Sequence, residues 1–345
     1  MTEELISSRK NDHIRINLEE DVKSSLSNGL EMYRFVHNAL PEINFTEIDL
    51  SQQIFNKNVS IPLFISSMTG GTSQAYQINR ILAQAAEQFG LAMGVGSQRA
   101  AIEDGSLSET FNIRKIAPQI LLFANLGAVQ LNYGYGIEEC KKAVEMIEAD
   151  ALILHLNPLQ EAVQPEGDTD FSGLLKKIEH VCRNLPVPVV VKEVGWGISG
   201  GTAKKLIEAG VAAIDISGAG GTSWSQVERF RLTDKSAISV AEAFLDWGIP
   251  TAEALIDVRK TLSDVPIFAS GGLKSGMDVA KTLALGANIA GMAGVFLRAA
   301  VVSLDQLMET ITIIERIIRI SMFATGSRNL KSFSDGKIIK SGGNS

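Results

Sequence analysis

The sequence predicts an α/β protein folded as a (β/α)8 TIM barrel with an N-terminal extension. Three observations carry this. Eight short runs are apolar almost throughout, as parallel strands covered on both faces must be. Each run ends in small or polar residues and is followed by a stretch with helical periodicity. The runs begin mostly 25 to 37 residues apart, with one longer gap between the sixth and seventh. A doubly wound open sheet is the architectural alternative.

The predicted strands are Leu63–Ser67, Ala92–Ser97, Leu121–Leu126, Ala151–Asn157, Val187–Val194, Ala213–Ser217, Pro266–Ser270 and Ile289–Gly294. Amphipathic helical patterns fall between them, among others at Gln77–Phe89, Glu138–Glu148, Phe171–Cys182, Thr251–Leu262 and Gly276–Leu285, with a long one at Ser303–Phe323. Residues 1–60 are polar, contain a turn-like Ser27-Asn28-Gly29, and read as an extension packing at the barrel mouth. Residues 61–325 form the barrel. Residues 326–345 hold four glycines, five serines and four basic residues, which reads as a loosely held tail.

Composition narrows the function. The 345 residues carry a formal charge of −7, too acidic for a protein that neutralises nucleic-acid phosphates. Two cysteines make neither a disulfide framework nor a metal site, which suits a reducing, cytoplasmic setting. Both fall at apolar helical positions and read as small buried hydrophobes. The N-terminus lacks the apolar core of a secretory signal. The charge-free stretch from Ile116 to Ile137 is interrupted by Pro118, Asn125, Gln130 and Asn132, so no membrane span is expected. The apolar stretch Ile311–Ile320 reads as more than a solvated face and points to a homo-oligomer, a tetramer or octamer.

In such barrels the site lies at the carboxyl ends of the strands. Gly271-Gly272 and Ala293-Gly294 end the last two strands, where backbone N–H groups and helix N-termini receive phosphate. Lys192 stands in the apolar run Pro188–Val191 and needs a partner: a flavin, a Schiff-base substrate or a barrel carboxylate. Neighbouring Glu193 faces the other way. The densest polar group is His155, Asn157, Gln160 and Glu161. Its one carboxylate among oxygen donors suits Mg²⁺ and does not suit zinc.

With these residues in hand, the chain resembles the type 2, FMN-dependent isopentenyl diphosphate isomerase family. The resemblance runs over nearly the whole length. It rests on Arg9-Lys10-Asn11-Asp12-His13, Phe35–Glu42, Met68-Thr69-Gly70-Gly71, Gly96-Ser97-Gln98-Arg99, Asn125-Leu126-Gly127, His155–Glu161 and the glycine loops. It implies FMN across the mouth on Ser67, Met68, Thr69, Ser97, Asn125, Lys192, Ser217 and Thr222. The phosphate would lie on Gly271, Gly272, Ala293 and Gly294, near Lys274. Lysine at 274 departs from the arginine expected there and loses the bidentate fork.

The resemblance further implies a diphosphate substrate near Arg9, Lys10, His13, Ser97, Gln98, Arg99 and Gln160, with Mg²⁺ on Glu161. Gln160, His155 and Asn157 are the candidate catalytic residues. The implied reaction moves a double bond between isopentenyl and dimethylallyl diphosphates, adding one proton and removing another. Reduced FMN serves as the acid–base cofactor, and NADPH is the reductant that keeps it reduced. An α-hydroxyacid oxidase-like enzyme would need a late histidine, and none follows His180. An inosine-monophosphate dehydrogenase would need a cysteine after strand six, where Gly218–Ser223 has none. A non-catalytic flavin-binding protein would have no use for Gln160-Glu161 or Arg9-Lys10.

Overall fold

A computed structural model describes residues 3–341, without the side chains of residues 3–9 and of Asn11. The eight expected strands are all present. They are β1 (Leu63–Ile65), β2 (Ala92–Gly94), β3 (Leu122–Gly127), β4 (Ala151–Leu156), β5 (Val189–Glu193), β6 (Ala213–Asp215), β7 (Ile267–Ala269) and β8 (Ile289–Met292). Each pairs in parallel with the next, and β8 closes on β1. The long gap between the sixth and seventh strands holds two additional helices, Trp224–Arg229 and Lys235–Glu242.

Alternation along the strands builds two environments inside the barrel. The lower inward positions are apolar, with Phe64, Phe123 and Phe268 fully buried in mutual ring contact. The upper inward positions are polar: Ser66, Asn125, His155, Lys192, Asp215, Ser217 and Ser270. Strand residues of the opposite parity, such as Leu63, Ile65, Leu152, Leu154 and Val191, face the helices in the main core.

The first 60 residues divide between the two ends of the barrel. Helix α1 (Glu3–Glu19) lies at the mouth, where Lys10 Nζ donates to Ser97 O at 3.2 Å and Thr222 Oγ1 donates to Asn17 Oδ1 at 3.2 Å. A hairpin of Gln52–Ile54 and Lys57–Val59 closes the opposite end. Its turn residues Phe55 and Asn56 take positive φ values of 48° and 62°, and the Phe55 ring reaches Phe123 and Phe268. Lys57 anchors it to Asp150, just before β4, with Nζ–Oδ1 of 3.1 Å. The expectation that the whole extension packs at the mouth is therefore corrected for this hairpin.

The tail expectation is also corrected, through residue 341. Ile338–Lys340 pairs antiparallel with Tyr33–Phe35, and Phe333 is fully buried with its ring stacked on Phe35, centroids 5.4 Å apart. Composition hid this. A few apolar residues supply the burial, and the serines cap and turn the chain around them. Phe333→Ala should therefore lower unfolding stability by about 3–5 kcal/mol, read from the urea midpoint. A midpoint equal to wild type would restore the loose-tail view.

In the long helix Leu304–Phe323, Ile311, Ile314 and Ile318 are buried within the chain, and Ile313 and Ile320 stay exposed. Cys140 is buried and Cys182 half-buried, and burial pushes their thiols up to about 12 and 11. Both are inert. Among the described residues, no helix is long and apolar enough to cross a membrane.

Candidate active site

The polar upper layer opens into a cavity of about 340 Å³ between the strand ends and α1. At one end lies an anion cradle. Gly271 and Gly272 take φ of 111° and 69°, and a Cβ on either would fall within 2.3 Å of the Gly218–Gly220 backbone. Their carbonyls are tied back, Gly271 O accepting from Thr251 Oγ1 at 2.6 Å and Gly272 O from Asn28 Nδ2 at 2.8 Å. That leaves the N–H side of the loop as its ligand-binding face. Beside it, Ala293 precedes the helix Gly294–Val302, whose first-turn N–H groups and dipole favour a phosphate. Lys274 and Arg298 also line this end.

At the other end, Asn157 precedes the helix Pro158–Val163, which brings Gln160 and Glu161 into the cavity wall. Asn157 Nδ2 donates to Glu161 Oε1 at 2.8 Å and to Gln160 Oε1 at 3.3 Å. Glu161 Oε2 accepts from Gln164 Nε2 at 2.5 Å and from Asp168 N at 2.7 Å. Gln160 Nε2 donates to Glu228 Oε1 at 2.8 Å, so both ends of the catalytic candidate's amide are fixed. His155 Nδ1 donates to Asn125 Oδ1 at 2.8 Å, joining β4 to β3.

Glu228 ties this cluster to α1, with His13 Nε2 at 3.1 Å and Arg231 Nη1 at 2.5 Å. Burial alone would raise its carboxyl. The hydrogen bond and charge of His13, the Gln160 bond and the Arg231 charge instead hold it down to about 2. Its contribution to stability is therefore present above the ordinary carboxylate range near 4.5 and lost as pH falls through about 2. The stability advantage of wild type over Glu228→Gln should shrink by on the order of 3 kcal/mol between pH 5 and pH 2 in urea titrations. A constant difference across that range would contradict the assignment.

Most of the expected site residues meet here. Lys10, His13, Ser67, Met68, Thr69, Ser97, Arg99, Asn125, Lys192, Ser217, Thr222, Lys274 and the glycine loops all line the one cavity. The Arg9 side chain lies outside the described residues. Arg99 is held by Glu103 at 2.9 Å and Asp168 at 2.8 Å. Gln98 is corrected: its amide is fully buried, donates to Ala143 O at 2.8 Å and accepts from Asn125 N at 2.9 Å, away from the cavity. It ties the turn after β2 to β3 and to the helix Ile137–Met146 and does not line the cavity.

Lys192 and Glu193 do face opposite ways. Lys192 Nζ meets Asp215 Oδ2 at 2.9 Å, so the barrel-carboxylate alternative describes its protein partner. Glu193 Oε2 accepts from the backbone N–H groups of Val194, Gly195, Trp196 and Gly197. Burial pushes that carboxyl up to about 7 against the pull of those bonds and of Lys192. Sequence reading missed Asp215, Glu228, Arg298 and Trp224. Asp215 was findable as a charge at an inward position of an apolar strand, and Arg298 as a cation one turn after Ala293-Gly294. Glu228 carried no local signal.

FMN fits this donor set. The hydroxyls of Ser66 and Ser67 have no hydrogen-bond partner in the protein, yet they sit buried on the cavity side of β1. Buried hydroxyls of this kind call for a ligand. Mg²⁺ also fits the chemistry at Glu161, where the buried oxygens Asn157 Oδ1 and Gln164 Oε1 lack donors. One carboxylate with neutral oxygens is a hard-cation donor set. Among the described residues, no group of three His, Cys, Asp or Glu could hold a metal by itself.

A closed parallel barrel with a glycine cradle on its seventh and eighth strands and a polar, open-topped interior is the architecture of barrel enzymes that hold a phosphate-bearing ligand. The sequence pattern of the FMN-dependent dehydrogenase family matches residues 153–340. An active mutant of (S)-mandelate dehydrogenase superposes with a TM-score of 0.69 at 17% identity, covering 98% of each chain. A Pediococcus acidilactici lactate oxidase gives 0.68 at 16% identity, covering 98% of this chain and 94% of that one. At such identities the likeness concerns the fold alone. Isopentenyl-diphosphate delta-isomerase from Nostoc sp. is 55% identical over 324 residues, 94% of this chain and 93% of the relative. The Synechocystis sp. enzyme of the same name is 53% identical, covering 93% of each. The chain belongs to the isopentenyl-diphosphate delta-isomerase family, in its FMN-dependent form.

Proposed function

We propose that this protein interconverts isopentenyl and dimethylallyl diphosphates with FMN and Mg²⁺ bound. The observation that carries the reading is a single cavity with two anion-receiving ends. The glycine loops and the Gly294 helix take a cofactor phosphate. Lys10 and Arg99 would take a substrate diphosphate, and Glu161 would hold the Mg²⁺ that accompanies it. The substrate's hydrocarbon has no polar handle, so the diphosphate end must provide the binding energy that orients it.

When bound and reduced, FMN would supply an electron-rich face and acid–base chemistry of its own. The chain's residues do the rest. Gln160, clamped between Asn157 and Glu228, positions the hydrocarbon, and it cannot itself titrate near neutral pH. Asn157 aims the Glu161 carboxylate, and His155 fixes the Asn125 amide next to the cofactor site. Helix α1 brings Lys10 and His13 over the mouth and keeps water from a carbocation-like species. NADPH is needed only to bring the cofactor to its reduced state. The protein acts in the cytoplasm as a homo-oligomer, consistent with the exposed Ile313 and Ile320 on its long helix.

The test is an anaerobic assay of isopentenyl diphosphate with FMN, Mg²⁺ and NADPH, omitting each in turn. Isomerisation should vanish without FMN, without Mg²⁺, or while the flavin stays oxidised. Full activity in a flavin-free, reductant-free mixture would refute the reading.

A further inference from the structure

Asp215 is fully buried at an inward position of β6, and none of the roles above uses it. It stands directly across the ladder from Lys192 on β5. Lys192 Nζ lies 2.9 Å from Asp215 Oδ2 and donates to Ser270 Oγ at 3.0 Å. Ser270 Oγ in turn donates to Asp215 Oδ1 at 2.8 Å, and Ser217 N approaches the same oxygen at 3.3 Å. Three adjacent strands thus close a ring around one buried charge pair. An ammonium has three N–H groups. One is donated to Ser270 Oγ, Asp215 Oδ2 stands at ion-pair distance without a hydrogen bond of its own, and Lys192 also lines the cavity.

A lone ammonium beside a flavin would favour the reduced cofactor, because the ring gains negative charge as electrons are added. A carboxylate 2.9 Å from that ammonium offsets much of its field. We propose that Asp215 is a positioning residue that sets the redox balance of the bound flavin, by fixing the Lys192 ammonium and limiting how far its charge favours the reduced form. The inference rests on the reading that FMN lies against Lys192. It makes the Lys192–Asp215 pair, and not the lysine alone, the unit that tunes the cofactor.

The test is an anaerobic spectroelectrochemical titration of FMN bound to the full chain. The variants are Asp215→Asn, Lys192→Met and the two combined. Asp215→Asn should shift the reduced-to-oxidised ratio at a given potential at least tenfold toward reduced, about 30 mV upward for a two-electron couple. Lys192→Met should shift it the other way. The double variant, which removes both buried charges together, should recover most of that downward shift. If Asp215→Asn does not fold, the comparison of Lys192→Met with the double variant carries the test.

A merely structural Asp215 would alter affinity for both redox forms equally and leave the potential in place. Equal potentials in wild type and Asp215→Asn, or in Lys192→Met and the double variant, would overturn the proposal. Failure of the wild-type chain to take up FMN would instead overturn the functional reading beneath it. The two failures are distinguishable from the flavin absorbance alone.

Discussion

Replacing Gln160 by alanine is expected to lower kcat roughly 100-fold while leaving the Mg²⁺ concentration for half-maximal rate within about twofold of wild type. The reason is geometric. The amide is held by Asn157 at 3.3 Å and Glu228 at 2.8 Å, so it presents one orientation to the reacting carbons. Its loss leaves the diphosphate site intact and the hydrocarbon free to rotate away. Glu161→Gln should do the reverse. A neutral amide is a poorer ligand for a hard cation, so the Mg²⁺ requirement should rise on the order of 10- to 100-fold. Steady-state kinetics across a Mg²⁺ series for both variants decides the matter. Identical profiles, or an unchanged metal requirement in Glu161→Gln, would show that these adjacent residues do not divide the work.

Removing the paired cations Arg9 and Lys10 should raise KM by about 10- to 100-fold with FMN affinity unchanged. Lys10 enters the cavity from α1, its ammonium 3.2 Å from Ser97 O and 4.8 Å from the Phe111 ring centre. Both contacts hold the charge at the cavity wall beyond β2, outside the glycine cradle of β7 and β8. Equal KM in wild type and the double alanine variant would return both residues to the solvated surface. Loss of FMN binding would mean instead that α1 builds the cofactor site.

How much of this was legible depended on the length scale of the signal. Each barrel strand announced itself locally, because a strand buried on both faces must be apolar throughout. Strand-end residues such as Asn157 and Lys192 stood out as polar interruptions of those runs. Glu228 is different. It lies 68 residues from Gln160 and 215 from His13, and only closure of the barrel and docking of α1 bring the three together. Gln98 erred in the other direction. It sits in a motif beside two cavity residues, but the turn before the helix Arg99–Glu103 sends its amide away from the cavity, to Asn125 N and Ala143 O. The hairpin at the barrel floor and the buried Phe333 were missed because both lie in polar stretches, where a single aromatic ring does the packing.

The pairing of Tyr33–Phe35 with Ile338–Lys340 has a consequence for synthesis. The chain emerges from the ribosome N-terminus first, so the partner of Tyr33 is made some three hundred residues after it. Until Lys340 has left the exit tunnel, the stretch behind α1 has an open strand edge and the Phe35 ring has no stacking partner. The barrel strands can associate in order as they appear, each beside its predecessor. The segment that leads back from the mouth cannot lock until Ile338–Lys340 has followed the whole barrel out of the ribosome. A nascent chain therefore passes through a stage with a closed barrel and an unfastened cover.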